Sequence, residues 1–135
     1  MSYKDKGNKG EKLAEKFLKR KGYIFIARNY WTDGGELDLV FYKNFSLIVV
    51  EDKTRKKSQY GSGREAVDFH KQKCIKSSTK IFLQSHCKKN FAPFYLCNIK
   101  IPLKFYKIRY DVIEVSVDED TDTYTINNHL KGYFK

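Results

Sequence analysis

Apolar positions recur along this chain at two periods, and the changes between them mark its elements. From Asn8 to Lys21, the residues Leu13, Ala14, Phe17 and Leu18 fall on one face at helical spacing. Asn8 is placed to cap that helix, Glu11 stands three residues on, and Gly22 is placed to end it. Tyr23 to Asn29 then reads as a strand, Thr32-Asp33-Gly34-Gly35 as a turn, and Glu36 to Tyr42 as a second strand. Beyond a tight turn at Lys43-Asn44 comes a third strand, Ser46 to Lys53. Its near-continuous run Leu47-Ile48-Val49-Val50 is that of a central strand buried on both faces. Lys56 to Gly63 is a polar loop. A long helix follows, roughly Glu65 to Ser85, with Val67, Cys74, Ile75, Ile81 and Phe82 as core candidates. Ala92 to Ile101 and Lys107 to Val117 read as later strands, and Tyr124 to Asn127 as a short last one.

The order is helix, three strands, helix, strands. Short turns make the first three strands an antiparallel meander. The long helix is a crossover, so the strand after it should pair in parallel. The expected class is α/β, a mixed central sheet flanked by helices. At 135 residues the chain is expected to form a single domain, 1–135. No apolar run approaches the roughly 20 residues that span a bilayer, and Met1 to Lys12 has no apolar stretch of the kind a signal peptide carries. A cytoplasmic location, away from membranes, is therefore the expectation. Cys74, Cys87 and Cys97 show no CxxC spacing and read as reduced thiols packed as small apolar groups.

Charge changes the picture. The formal net charge is +11, from 27 basic and 16 acidic residues. A bias of 22 Lys over 5 Arg also follows from composition alone, so distribution says more than total. Residues 1–109 hold 25 basic and 10 acidic groups, whereas 110–130 hold 6 acidic groups and neither Lys nor Arg. Such asymmetry suits a polyanion bound on one side.

Candidate chemistry sits in Gly35-Glu36-Leu37-Asp38 and Val49-Val50-Glu51-Asp52-Lys53. Strand alternation puts Glu51 and Lys53 on one face and Asp52 on the other. A hairpin centred near residue 44 sets position 38 opposite 50 to 51, so Asp38 and Glu51 meet at one end of the sheet. Facing carboxylates repel unless compensated. A hard cation such as Mg²⁺ (or Mn²⁺) compensates them, and a nearby Lys adds charge where an oxyanion develops. These parts suffice for metal-assisted phosphodiester hydrolysis. The plain alternative is a surface hairpin with solvated charges.

The runs Gly10-Glu11-Lys12-Leu13-Ala14, Arg28-Asn29, Gly35-Glu36-Leu37-Asp38-Leu39-Val40, Val50-Glu51-Asp52-Lys53-Thr54-Arg55, Tyr60-Gly61, Glu65-Ala66-Val67, Lys71 and Arg109-Tyr110-Asp111-Val112-Ile113 resemble, in order, the blocks of the YraN family. These are small bacterial proteins of uncertain function in the PD-(D/E)xK nuclease superfamily. The resemblance implies a restriction endonuclease-like αβββαβ core, similar to that of Holliday junction resolvases. It implies Asp38 and Glu51 as metal-binding carboxylates, the main-chain carbonyl of Asp52 as a further ligand, and Lys53 as the catalytic lysine. Glu11 resembles the helix acid that completes the site in resolvase-like relatives; its plain alternative is a capping box with Asn8. Thr54, Arg55 and Lys71 would lie near the phosphate backbone. Tyr60, in a loop that could close over substrate, and Trp31 would stack on unpaired bases. Arg109 and Asp111 read as structural.

Two departures stand out. Asp52 occupies a position where the family usually has an apolar residue, on the Ile48/Val50 face, so it must reach solvent or find a basic partner. The stretch Phe91 to Lys107 is longer and more aromatic than the family pattern and reads as an added hairpin. The function expected is a metal-dependent endonuclease on nucleic acid, with DNA, including branched or repair intermediates, the leading substrate. Cutting a junction would need two symmetric sites, hence a homodimer. One alternative is a non-catalytic nucleic-acid-binding protein with a nuclease-derived fold. The other is an interaction protein whose charge reflects composition.

Overall fold

The structure is a computed structural model and describes residues 3–59 and 66–135. Tyr60, Glu65 and the loop between them lie outside the described residues, as does the substrate-closing role expected of that loop. The elements, in order, are α1 (Tyr3–Arg20), β1 (Ile24–Thr32), β2 (Gly35–Lys43), β3 (Ser46–Lys56), a 3₁₀ turn (Lys57–Gln59), α2 (Phe69–His86), β4 (Phe91–Leu96), β5 (Ile99–Lys104), β6 (Lys107–Asp118) and β7 (Thr123–Phe134). They form a mixed α/β fold of the restriction endonuclease-like kind, with a five-stranded sheet ordered β1-β2-β3-β6-β7.

The meander and the crossover are both present. β1, β2 and β3 pair antiparallel, and β3 pairs parallel with β6 from Ser46↔Lys107 to Lys56↔Val117. The β2–β3 turn is tight because Asn44 and Phe45 both adopt positive φ, 49° and 61°, between the paired Lys43 and Ser46. β3 is the spine. Its Leu47 and Val49 join Ile75 and Phe82 of α2 in one core cluster, while Ile48 and Val50 join Ala14 and Leu18 of α1 in another. The helices therefore cover opposite faces. Each fully buried Leu or Ile in these clusters contributes about 2 kcal/mol through removal from water.

Several boundaries differ from the sequence expectation. α1 starts at Tyr3, so Asn8 lies inside the helix and is not its cap. α2 starts at Phe69, where the Asp68 carboxylate accepts the Lys71 N–H at 2.8 Å. Ile81, expected in the core, is 37% exposed, whereas Ser78 and Thr79 are buried. Thr79 satisfies its hydroxyl on the Ile75 carbonyl at 2.7 Å, which lets a polar residue take an inner position. β7 runs twelve residues, because pairing to β6 rather than alternation of its own side chains holds it. Phe91 to Lys104 is the added hairpin, a separate two-stranded sheet turning at Cys97 and Asn98 with positive φ. Of the three free cysteines, Cys97 is exposed on this turn rather than packed. No helix among the described residues is long and apolar enough to cross a membrane.

Candidate metal centre

The centre lies where β2 parts from β3. Their ladder ends at Leu39↔Val50. One step further, the Asp38 carboxylate takes over and accepts the Asp52 N–H at 2.9 Å. The alternation of β2 breaks at the same point: Leu37 packs on the α2 side and Leu39 on the α1 side, although they stand two apart.

Glu51 lies opposite, hydrogen-bonded to Asp38. Both are buried, Asp38 being 8% and Glu51 6% exposed. Burial raises the pKa of each, and mutual repulsion adds to the rise at Glu51. The Asp52 N–H, Lys71 and Lys53 pull Asp38 back down without cancelling its rise. Ionising one member of the pair opposes ionising the other. Lys71, from the first turn of α2, brings its Nζ to 3.6 Å from Glu51 Oε1. Burial acts against the Lys71 charge, but Glu51, Asp38 and Glu36 together outweigh it and raise its pKa.

Glu11 approaches from α1. Gly10 makes this possible: a Cβ there would collide with the Thr54 hydroxyl and reach within 3.2 Å of Asp52 Oδ2. The helix backbone therefore rides directly on the end of β3. Oxygens of Glu11, Glu36 and Asp38 lie within 4.8 Å of one another. Burial, then Asp38, then Glu36 push the Glu11 pKa to about 7, and burial and Asp38 raise that of Glu36. With its amide nitrogen turned toward the carboxylates, Asn29 donates to Glu11 Oε2 at 2.9 Å and to Glu36 Oε1 at 3.3 Å. Asn29 holds this position with φ of 49°, a left-handed conformation that Asn tolerates.

Asp52 is half-buried, and the Lys53 charge acts on it. Its Oδ2 accepts the Thr54 hydroxyl at 2.9 Å, and its Oδ1 is buried without a hydrogen bond. Burial, with Asp38 and Glu11 adding repulsion, raises its pKa to about 8. The raised pKa favours the neutral acid, the form that costs less to bury. The Thr54 hydroxyl, expected near phosphate, is turned instead to Asp52 beneath α1. Lys53 and Arg55 alternate onto the face of Glu51. Trp31 is 74% exposed at the end of β1. The structure therefore brings together Glu11, Asp38, Glu51 and Lys71 from the sequence-derived set. It adds Glu36 and Asn29, which the sequence reading had not assigned to the site. Glu36 had one available signal, its i, i+2 relation to Asp38.

The donor set fits a hard divalent cation. Glu11, Glu36, Asp38 and Glu51 offer only oxygen; burial is the main cause of their raised pKa values, and the Asp38 charge adds repulsion at Glu11, Glu36 and Glu51, which such an ion would relieve. Beside Glu11 and Asn29 lies an open cleft of about 400 Å³, also lined by Asn8, Lys12 and Arg28.

These residues fall within a region shared with known sequences. The model of the Uncharacterised protein family UPF0102 matches residues 10–115. The chain belongs to family UPF0102. A UPF0102 protein from Caldanaerobacter subterraneus subsp. tengcongensis is 36% identical over 129 residues, covering 95% of this chain and 93% of its own length. A UPF0102 protein from Clostridium perfringens is 34% identical, covering 93% and 90%. One from Alkaliphilus oremlandii is also 34% identical, covering 93% of both chains. The match includes Glu11, Asp38, Glu51 and Lys71, so the whole candidate centre lies inside the UPF0102 region.

Proposed function

We propose that this UPF0102 protein is a divalent-metal-dependent endonuclease that hydrolyses phosphodiester bonds in nucleic acid, with DNA the leading substrate. The observation that carries the reading is the convergence of Glu11, Glu36, Asp38 and Glu51, from three separate elements, into one notch beside Lys71. Such crowding costs stability unless function requires it.

Asp38 and Glu51 would hold a Mg²⁺ or Mn²⁺ ion, with Glu11 and the Asp52 carbonyl as further candidates. When bound, the ion polarises a phosphoryl oxygen and acidifies a water. The residues of the chain do the rest. The Asp52 N–H keeps the Asp38 carboxylate oriented. Lys71 holds Glu51 and places positive charge at the notch. Lys53, whose charge acts on Asp38, Glu51 and Asp52, would orient the attacking water or meet the developing oxyanion. Arg55, on the same face of β3, would steady the backbone of the substrate.

The test is a cleavage screen over duplex, single-stranded, flap and four-way DNA and matching RNA, with Mg²⁺ or Mn²⁺. Wild type should cut at least one form. Asp38→Ala and Lys53→Ala should each reduce the rate at least about a hundred-fold, the scale of losing one group that stabilises transition-state charge, while Asp38→Ala keeps most binding. A wild-type protein that binds but cuts nothing overturns the catalytic reading in favour of a binding module.

A further inference from the structure

From Phe69 to Tyr110 the chain carries ten basic residues and not one acidic residue. This stretch forms α2, the β4–β5 hairpin and the start of β6. Where the hairpin meets the C-terminal end of α2 there is a pocket of about 330 Å³. Its apolar lining comes from Phe91, Pro93 and Pro102, and the exposed His86, Lys88 and Lys100 complete it. Among the described residues, neither Lys88 nor Lys100 has a carboxylate within ion-pair distance. Lys104 adds a further cation, 4.8 Å over the Phe91 ring.

We infer that this pocket binds an unpaired nucleotide of a nucleic-acid substrate, the base against the apolar lining and the flanking phosphates on Lys88 and Lys100. Its size is at the small end for ligand sites and suits one base. Charge complementarity selects the occupant: an apolar pocket lined by Lys88 and Lys100, in a stretch of chain without acidic residues, matches a flat apolar group attached to an anionic backbone. An acidic or neutral apolar peptide would satisfy only one of the two features. α2 links this pocket to the candidate centre, running from Lys71 to His86, about 22 Å at 1.5 Å per residue. Exposed Lys73 and Lys80 lie along it. That span is about six base pairs of duplex. The preferred substrate is therefore a duplex ending in, or interrupted by, single-stranded nucleotides about that far from the reacting bond.

The inference rests on the reading of the ligand as nucleic acid, and its test is run without metal so that cleavage plays no part. Fluorescence anisotropy in EDTA compares a blunt 20-base-pair duplex with the same duplex carrying a five-nucleotide overhang. The overhang should bind at least about five-fold tighter, the lower end for one stacked base. Lys88→Glu/Lys100→Glu should erase that difference. Lys88→Arg/Lys100→Arg and Asp38→Asn should keep it. Equal affinity for both duplexes, or a preference that survives the double Glu variant, overturns the inference. So does competition by heparin as effective as that by the overhang oligonucleotide at matched charge. An overhang preference in a protein that never cuts supports the pocket and removes the nuclease; cleavage with no preference does the reverse.

Discussion

The sheet buries two sets of carboxyl groups and treats them in opposite ways. Asp111 on β6 is fully enclosed. Its oxygens accept from Arg109 Nε and Nη2 at 2.8 Å each, from the Gly132 N–H at 2.9 Å, and pair with His129 Nε2 at 2.8 Å. Burial alone would raise its pKa, yet these donors win and lower it. Arg109 is tied further to the Tyr23 hydroxyl at 3.0 Å, which locks α1's exit to the far end of β7. Asp38, Glu51, Glu11 and Asp52 face one another instead, and all four are raised. A buried acid with a full set of donors is a structural joint. A buried acid held against other acids is a site awaiting positive charge.

The largest test of this contrast removes one charge from each centre. Asp111→Asn leaves Arg109 and His129 facing a neutral group and should cost on the order of 3 kcal/mol, read by urea unfolding. Asp38→Asn, measured in EDTA, should be neutral or stabilising because it relieves repulsion. Equal losses at both positions would erase the distinction.

Next comes the approach of α1. Gly→Ala inside a helix ordinarily gains about 1 kcal/mol. Here Gly10→Ala meets the Thr54 hydroxyl, and overpacking of this kind costs about 1–3 kcal/mol. Adding Thr54→Ala should restore part of the loss in thermal melts, since the colliding oxygen is gone but so is its hydrogen bond to Asp52. A Gly10→Ala protein as stable as wild type would mean that α1, and Glu11 with it, does not sit against β3.

Much of the site was legible because a two-residue turn and an apolar alternation fix register. Asn44 at the bend and the Leu47 to Val50 run are enough to set Asp38 against Glu51. The parallel partner of β3 was legible from the long crossover helix. What stayed hidden depends on contacts between elements distant in sequence. Glu36 and Asn29 join the centre only through the β1–β2 pairing and the left-handed turn at Asn29. Lys71 reads locally as a solvated helix charge, and only the start of α2 at Asp68 aims it at Glu51. The full length of β7 was hidden because an edge strand with polar residues on both faces, such as Thr125, Asn127 and Asn128, carries no alternation signal.

The smallest effect isolates Asp52, the acid that the resemblance sets apart. Asp52→Leu continues the Ile48/Val50 face, removes a buried unsatisfied oxygen, and should stabilise the metal-free protein by about 1 kcal/mol at pH 8. The pH dependence gives the sign. Groups whose folded pKa lies above the unfolded value near 4 bind protons more tightly in the folded state. Their stabilising contribution is complete below about pH 4 and is lost as pH rises through about 7 for Glu11 and about 8 for Asp52. Asp111 has the opposite sign and loses its contribution only as pH falls below the unfolded value. In EDTA, the melting temperature of wild type should therefore decline from pH 5 to pH 8. Asp52→Leu should flatten that limb and leave the acid limb, to which Asp111 and Glu15 contribute, where it was. Added Mg²⁺ should flatten the same limb by taking the place of the protons. A decline untouched by both changes would assign it to groups outside the Asp38 centre.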